Sequence, residues 1–352
     1  MKHNLPLDFL KQARVPLAER MAKLTEAIRR GTEGRAQAAQ QPEALARLME
    51  RMGQSWPQQP WAPAATPGAA TPAGAKFIAA SFANAAGQRP YKLFVPSGYD
   101  GQPVPLLVML HGCTQSPDDF AAGTRMNQLA EERTVLVAYP GQTAADHHTK
   151  CWKWFNAADQ QRDQGEPSLI AGITRQVMQD YAVDPRQVFM AGFSAGGAAA
   201  ANMGALYPDL YAAIGVHSGL ACGAARDLPS ALAAMRQGGA GRPPGKSLLP
   251  TIVFHGDADA TVHRSNADAV AAQATPRGTL TIETQQGQAP GGHRYTRTIH
   301  GTDATTVLEQ WAVHGGGHAW FGGDKAGSYT DPKGPDAARE MLRFFLEHKR
   351  PA

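Results

Sequence analysis

Continuous apolar runs punctuate this chain: Pro105–Leu110, Thr134–Tyr139, Val188–Ala191, Ala212–His217 and Leu249–Phe254. Each has strand length and no polar alternation, the pattern of strands covered on both faces. Stretches of helical periodicity lie between and after them. Pro117–Arg133 reads as one helix. Leu169–Tyr181 places Ile170, Ile173, Val177 and Tyr181 on one face, and Pro335–His348 does the same with Ala338, Met341, Leu342 and Phe345. Leu280–Thr284, Tyr295–Ile299 and Val307–Val313 read as further strands, and Phe77–Phe82 with Arg89–Val95 as a hairpin around Asn84–Gly87. Strands alternating with amphipathic helices predict an α/β fold: a mostly parallel sheet with helices on both faces.

The N-terminal pattern differs. Leu17, Met21, Leu24 and Ile28 recur on one helical face behind Pro16, and Leu45, Leu48, Met49 and Met52 on another. Residues 53–75 are rich in Pro, Ala and Gln and have too few large apolar side chains to bury a core. The predicted organisation is a helical N-terminal extension (1–52), a Pro/Ala-rich linker (53–75) and a main α/β domain (76–350). The helical stripes are candidates for self-association or docking, and equally for packing on each other or on the main domain.

Composition narrows the function classes. The net charge of +4 comes from scattered Lys and Arg, so no nucleic-acid footprint is read. No apolar run approaches the ~20 residues of a membrane span, and the first residues lack the apolar stretch of a secretory signal. Three cysteines, Cys113, Cys151 and Cys222, do not make a disulfide scaffold, and no zinc-binding spacing occurs.

Chemistry is concentrated after the run Val188–Ala191, where Gly192-x-Ser194-x-Gly196 leads into the small-residue segment Ala198–Met203. A sharp strand-to-helix turn lifts a serine hydroxyl out of the backbone and crowds its neighbours, which explains a glycine two residues to either side. The helix start directs free N–H groups at a developing oxyanion. Ser194 is therefore the candidate nucleophile. A serine nucleophile needs a base and a carboxylate that holds the base. Asp259, past the Thr251–Phe254 strand, and His318, in a glycine-rich loop past Val307–Val313, supply them. Asp257 and His314 are the rival acid and base. His217, His255 and His263 read as structural histidines. Ala195 and Cys113 are the candidate oxyanion donors through their backbone N–H groups. The loops of Cys113 and Cys151 should share one rim, so the Cys113 thiol is either a bystander or half of a Cys113–Cys151 bridge, which would leave Cys222 free.

The segments Leu110–Gln115, Cys151–Phe155, Gly192–Gly197, His255–Val262, Gly317–Trp320 and Asp331–Asp336 together resemble the polyhydroxybutyrate (PHB) depolymerase family of esterases, relatives of feruloyl and acetylxylan esterases. The resemblance spans roughly Phe77–His348. It implies an α/β-hydrolase fold, no cofactor, and hydrolysis of polyester, oligoester or small ester substrates, with Ser194, Asp259 and His318 as the triad. It also suggests that Trp152, Trp154 and Trp320 line the substrate groove, and makes a polymer granule a candidate partner of the N-terminal helices. Secreted members usually carry a signal peptide and often a polymer-binding domain. Neither is read here, which favours a cytoplasmic setting, with an extracellular one as the alternative. A feruloyl- or acetylxylan-type esterase and a catalytically silent binding protein are the competing functions.

Overall fold

Strand β5 (Val183–Phe193) lies in the middle of the sheet, flanked by β3 (Val104–Leu110) and β6 (Ala213–His217). The computed structural model of the protein describes residues 71–243, 248–275, 280–302 and 305–351. The helices expected within 1–52, and the linker up to residue 70, lie outside the described residues.

Ten strands form one sheet in the order β1-β2-β4-β3-β5-β6-β7-β10-β9-β8. The remaining strands are β1 (Lys76–Asn84), β2 (Gly87–Val95), β4 (Leu136–Pro140), β7 (Thr251–Gly256), β8 (Thr281–Gln288), β9 (Arg294–Thr302) and β10 (Thr305–Val313). From β4 through β10 all neighbours pair in parallel, whereas β1, β2, β8 and β9 are antiparallel additions at the two ends.

Period-two alternation divides the central strands between two cores. Leu106, Val108, Leu110, Val188 and Met190 face the core beneath α3 (Gly165–Asp180), α4 (Ala195–Leu206), α5 (Leu228–Gln237) and α6 (Ser265–Ala274). Leu107, Met109, Phe189, Ala191 and Phe193 face the opposite core, beneath α1 (Pro117–Thr124), α2 (Met126–Arg133) and α7 (Ala337–Leu346). This two-sided burial, about 1.5–3 kcal/mol per large apolar side chain, is why these strands read as unbroken apolar runs.

The single helix expected over Pro117–Arg133 is two. Arg125 adopts a left-handed conformation (φ 55°) that closes α1 and opens α2. Its guanidinium donates to Gly322 O and Asp336, each at 2.9 Å, so a long-range tie holds the break. Helices α5 and α6 were not anticipated, and β8 extends beyond its expected end at Thr284 to Gln288. No helix among the described residues is long and apolar enough to cross a membrane.

Candidate active site

The turn between β5 and α4 is as tight as the glycine spacing predicts. A Cβ on Gly192 would sit 2.2 Å from Gly196 O, and one on Gly196 would sit 2.1 Å from Leu110 O. Neither position accepts a side chain without moving backbone. Ser194 has φ 55° and ψ −118°, a conformation that non-glycine residues rarely adopt. Its amide donates to His217 O at 2.9 Å, and its carbonyl accepts the Ala198 amide at 3.0 Å. The strained residue is thus held from the neighbouring strand and from its own helix.

The turn brings Ser194 to His318. Ser194 Oγ and His318 Nε2 are 2.9 Å apart, and His318 Nδ1 lies 2.7 Å from Asp259 Oδ2. His318 and the Asp259 carboxylate are buried, whereas Ser194 remains partly open to solvent. Asp259 Oδ1 accepts the amides of Thr261 and Val262, both at 2.8 Å. Burial by itself would raise the Asp259 pKa, but the facing His318 ring and the donated hydrogen bonds outweigh it and hold the group below the ordinary carboxylate value. A charged, fixed carboxylate makes Nδ1 the protonated nitrogen of His318 and leaves Nε2 free to accept from the serine.

The rivals form a separate pair. His314 Nδ1 lies 2.9 Å from Asp257 Oδ2, and His314 Nε2 lies 2.9 Å from Thr296 Oγ1. Both ring nitrogens are therefore occupied away from Ser194, and Asp257 also accepts the Gly315 amide at 2.7 Å. The structural histidines behave as expected. Burial drives the His217 pKa well down, and its neutral Nε2 accepts the Phe321 amide at 3.1 Å. His255 lies 2.8 Å through Nε2 from Val262 O, which braces the Asp259 turn. His263 Nδ1 is 2.8 Å from Ser265 Oγ, at the start of α6.

Ala195 opens α4, so its amide is one of the helix-start donors. Cys113 lies on the loop after β3, and its amide has no hydrogen-bond partner among the described residues. That loop is bridged by a Cys113–Cys151 disulfide, leaving Cys222 free and buried. Thr114 N also donates to Thr149 O at 2.7 Å, so two adjacent ties join the loops. The bridge spans a sequence separation of 38, for which the chain-entropy account gives about 3–4 kcal/mol of stabilisation. The double variant Cys113→Ser/Cys151→Ser is expected to lose that amount in urea denaturation. A loss below about 1 kcal/mol would show that the unbridged unfolded chain is already constrained.

The three tryptophans expected in the groove are placed otherwise. Trp152 and Trp320 are 0% and 1% exposed, and Trp154 is 6% exposed. Trp152 Nε1 donates to His111 O at 2.9 Å, beneath the Cys113 loop. Trp320 stacks on His217 at 4.7 Å and meets Phe120 edge-on at 5.3 Å. Trp152 and Trp320 pack with their rings covered, Trp152 against the His111 carbonyl and Trp320 against His217. Phe193 and Tyr329 are nearer the chemistry and were missed. The Phe193 ring is 4.9 Å from His318, and Tyr329 OH is 3.0 Å from Thr114 Oγ1. Phe193 sits inside the glycine motif and could have been flagged by position, whereas Tyr329 carries no local signal.

The family described as Esterase PHB depolymerase matches residues 89–289. Among curated proteins, the chain is 29% identical to poly(3-hydroxyalkanoate) depolymerase C of Paucimonas lemoignei over 64% of this chain and 56% of that one. It is 30% identical to feruloyl esterase B of Thermothelomyces thermophilus over 40% of this chain and 47% of the other. The chain thus spans about half the length of these relatives. Among solved structures, an acetyl xylan esterase from Aspergillus awamori superposes with a TM-score of 0.58 at 18% identity, covering 77% of this chain and 98% of that one. An S-formylglutathione hydrolase from Agrobacterium tumefaciens gives 0.52 at 13% identity, covering 78% and 96%. These two likenesses carry the α/β-hydrolase fold.

Proposed function

The chain belongs to the Esterase PHB depolymerase family, and on that premise we propose that it is a serine esterase working through an acyl-enzyme. The observation that carries the reading is the unbroken chain Asp259 Oδ2, His318, Ser194 Oγ at 2.7 and 2.9 Å. His318 Nε2 takes the hydroxyl proton as Ser194 Oγ attacks the ester carbonyl. The amides of Ala195 and Cys113 hold the tetrahedral oxyanion. His318 then protonates the leaving alkoxide, and water repeats the sequence on the acyl-enzyme. No step calls for a cofactor. The catalytic unit in this proposal is residues 76–350.

The substrate class is a short-chain polyhydroxyalkanoate or its oligomers, in line with the depolymerase relative. A feruloyl- or acetylxylan-type activity is the second reading, favoured by the feruloyl esterase relative. The two share every catalytic part. The Cys113–Cys151 bridge supports an oxidising, extracellular setting over a cytoplasmic one.

The test is release of acid from 3-hydroxybutyrate trimer, amorphous PHB granules, methyl ferulate, acetylated xylan and p-nitrophenyl butyrate, with Ser194→Ala as the blank. Turnover of trimer or granules well above that of methyl ferulate and acetylated xylan is expected. The reverse order would transfer the assignment to the polysaccharide esterases. No turnover of any of these esters would end the esterase reading.

A further inference from the structure

Behind the Cys113–Cys151 bridge lies a buried polar cluster that the acyl-transfer steps do not use. Arg89 on β2, Gln142 after β4 and Glu166 in the first turn of α3 are each 5% exposed or less. Such groups are costly to bury unless every member is paired and the pairing serves some purpose. Arg89 donates to Gln142 Oε1, and also to Asp146 Oδ2 at 2.6 Å. Gln142 Nε2 donates to Glu166 Oε1, and to Cys151 O at 3.1 Å. Glu166 Oε2 accepts the Lys153 amide at 2.7 Å. The backbone on both sides of Trp152 is thus gripped, at the Cys151 carbonyl and at the Lys153 amide. Gln142 also donates its own amide to His111 Nε2 at 3.0 Å, next to the Cys113 loop.

We propose that Glu166 is a positioning residue for the oxyanion loop: its carboxylate, through Gln142, fixes the Cys151–Lys153 segment, and the disulfide passes that placement to the Cys113 amide. The inference rests on the esterase reading, in which that amide stabilises the transition state.

The groups turned toward the carboxylate select its charged form. Gln142 Nε2–H and the Lys153 N–H donate to it, and Arg89 Nη2 and Lys153 Nζ stand 3.8 and 4.0 Å from Oε1. A proton on Glu166 would face a donor at either oxygen. The charged form is opposed by burial first and then by Asp159, which accepts the Glu166 amide at 2.7 Å, and together they push the pKa up to about 7. Protonation in the neutral range therefore loosens the grip on the loop. Gln at this position is a permanent copy of the protonated side chain, with nearly the same volume.

The experiment compares kcat and KM of wild type and Glu166→Gln on p-nitrophenyl butyrate from pH 5.5 to 9. Loss of a whole oxyanion donor costs roughly 10²–10³-fold, so a displaced one should lower kcat about tenfold or more at pH 9, with KM within about twofold. The wild-type to variant ratio should then shrink to within about twofold at pH 5.5, where both proteins carry a neutral group. Taking the ratio removes any pH effect common to both proteins. Equal kcat at pH 9, or a ratio constant across pH, would overturn the proposal, since a purely structural role predicts one or the other. If Glu166→Gln does not fold, Gln142→Met cuts the same chain. It should lower kcat by a similar factor, and wild-type kcat in that variant would likewise overturn the proposal. Wild-type protein that hydrolyses no ester and is not labelled at Ser194 by a fluorophosphonate would instead refute the esterase reading, and this inference with it.

Discussion

Ser194→Ala is expected to lower kcat on any accepted ester by on the order of 10⁵–10⁶-fold while leaving KM within a fewfold of wild type. The change removes one oxygen, the atom 2.9 Å from His318 Nε2. No thiol replaces it as the nucleophile, because Cys113 is bridged and Cys222 is buried. The backbone should tolerate the substitution, since the bonds holding residue 194 run through its amide and carbonyl. Residual turnover over water would come from substrate binding and the oxyanion donors. His318→Ala added to Ser194→Ala should make activity little worse, because the two act as one unit. Steady-state kinetics combined with intact-mass detection of fluorophosphonate labelling settles both points. A variant that retained even a hundredth of wild-type kcat, or still took the label, would move the nucleophile elsewhere.

Asp259→Asn should be nearly as severe, about 10⁴-fold in kcat. Asn can still accept the Thr261 and Val262 amides through one oxygen, so the turn is preserved. What changes is the face toward His318 Nδ1. An amide N–H there donates where the carboxylate accepted, which forces the proton onto Nε2 and leaves the ring unable to take one from Ser194. The charge that stabilises the developing imidazolium is lost as well. Asp257→Asn is the matched control. Its partner is His314, on a half-exposed pair whose other ring nitrogen is taken by Thr296. Activity within about twofold of wild type is expected, because this half-exposed contact does not touch Ser194 or His318. If the two Asn variants exchanged phenotypes in a kcat measurement, the assignment of the acid would be reversed.

How far the sequence carried these assignments depended on whether the signal was local. The apolar runs Pro105–Leu110 and Val188–Ala191 announced central strands because both faces are buried. The glycine spacing around Ser194 announced the turn because the clash avoided at Gly192 is with Gly196, four residues on, although the clash avoided at Gly196 is with the distant Leu110. Asp259 over Asp257, and His318 over His314, followed from loop position and from the family resemblance, and their hydrogen-bond partners agree with that choice. The missed features depend on distant partners. Pro117–Arg133 breaks at Arg125 because Gly322 and Asp336 hold the guanidinium from far along the chain. Strand β8 is almost wholly exposed, so no apolar alternation marks its length. Trp152, Trp154 and Trp320 were read as a rim because nothing in their own segments reveals the carbonyl and rings that cover them. Glu166 lies ahead of the helix expected from Leu169 and carries no signal of its own in the sequence. Only the folded arrangement shows it to be 5% exposed and ringed by donors.

The three members of the hydrogen-bonded chain sit after β5, β7 and β10, and the serine and histidine are separated by 124 residues of sequence. That stretch must complete three further parallel pairings, β6 on β5, β7 on β6 and β10 on β7, before His318 reaches Ser194. Pairing of this kind closes long loops and is slow to form. Helical signal regained by a refolding chain therefore says little about the site, because α3 and α4 precede β6, β7 and β10 in the chain. Recovery of hydrolysis reports something stricter: that the last parallel strand has found its place beside β7. A serine, an aspartate and a histidine spread this widely make catalytic competence a late milestone in the life of each molecule, and a partly renatured preparation will carry native-like secondary structure long before it carries a working nucleophile.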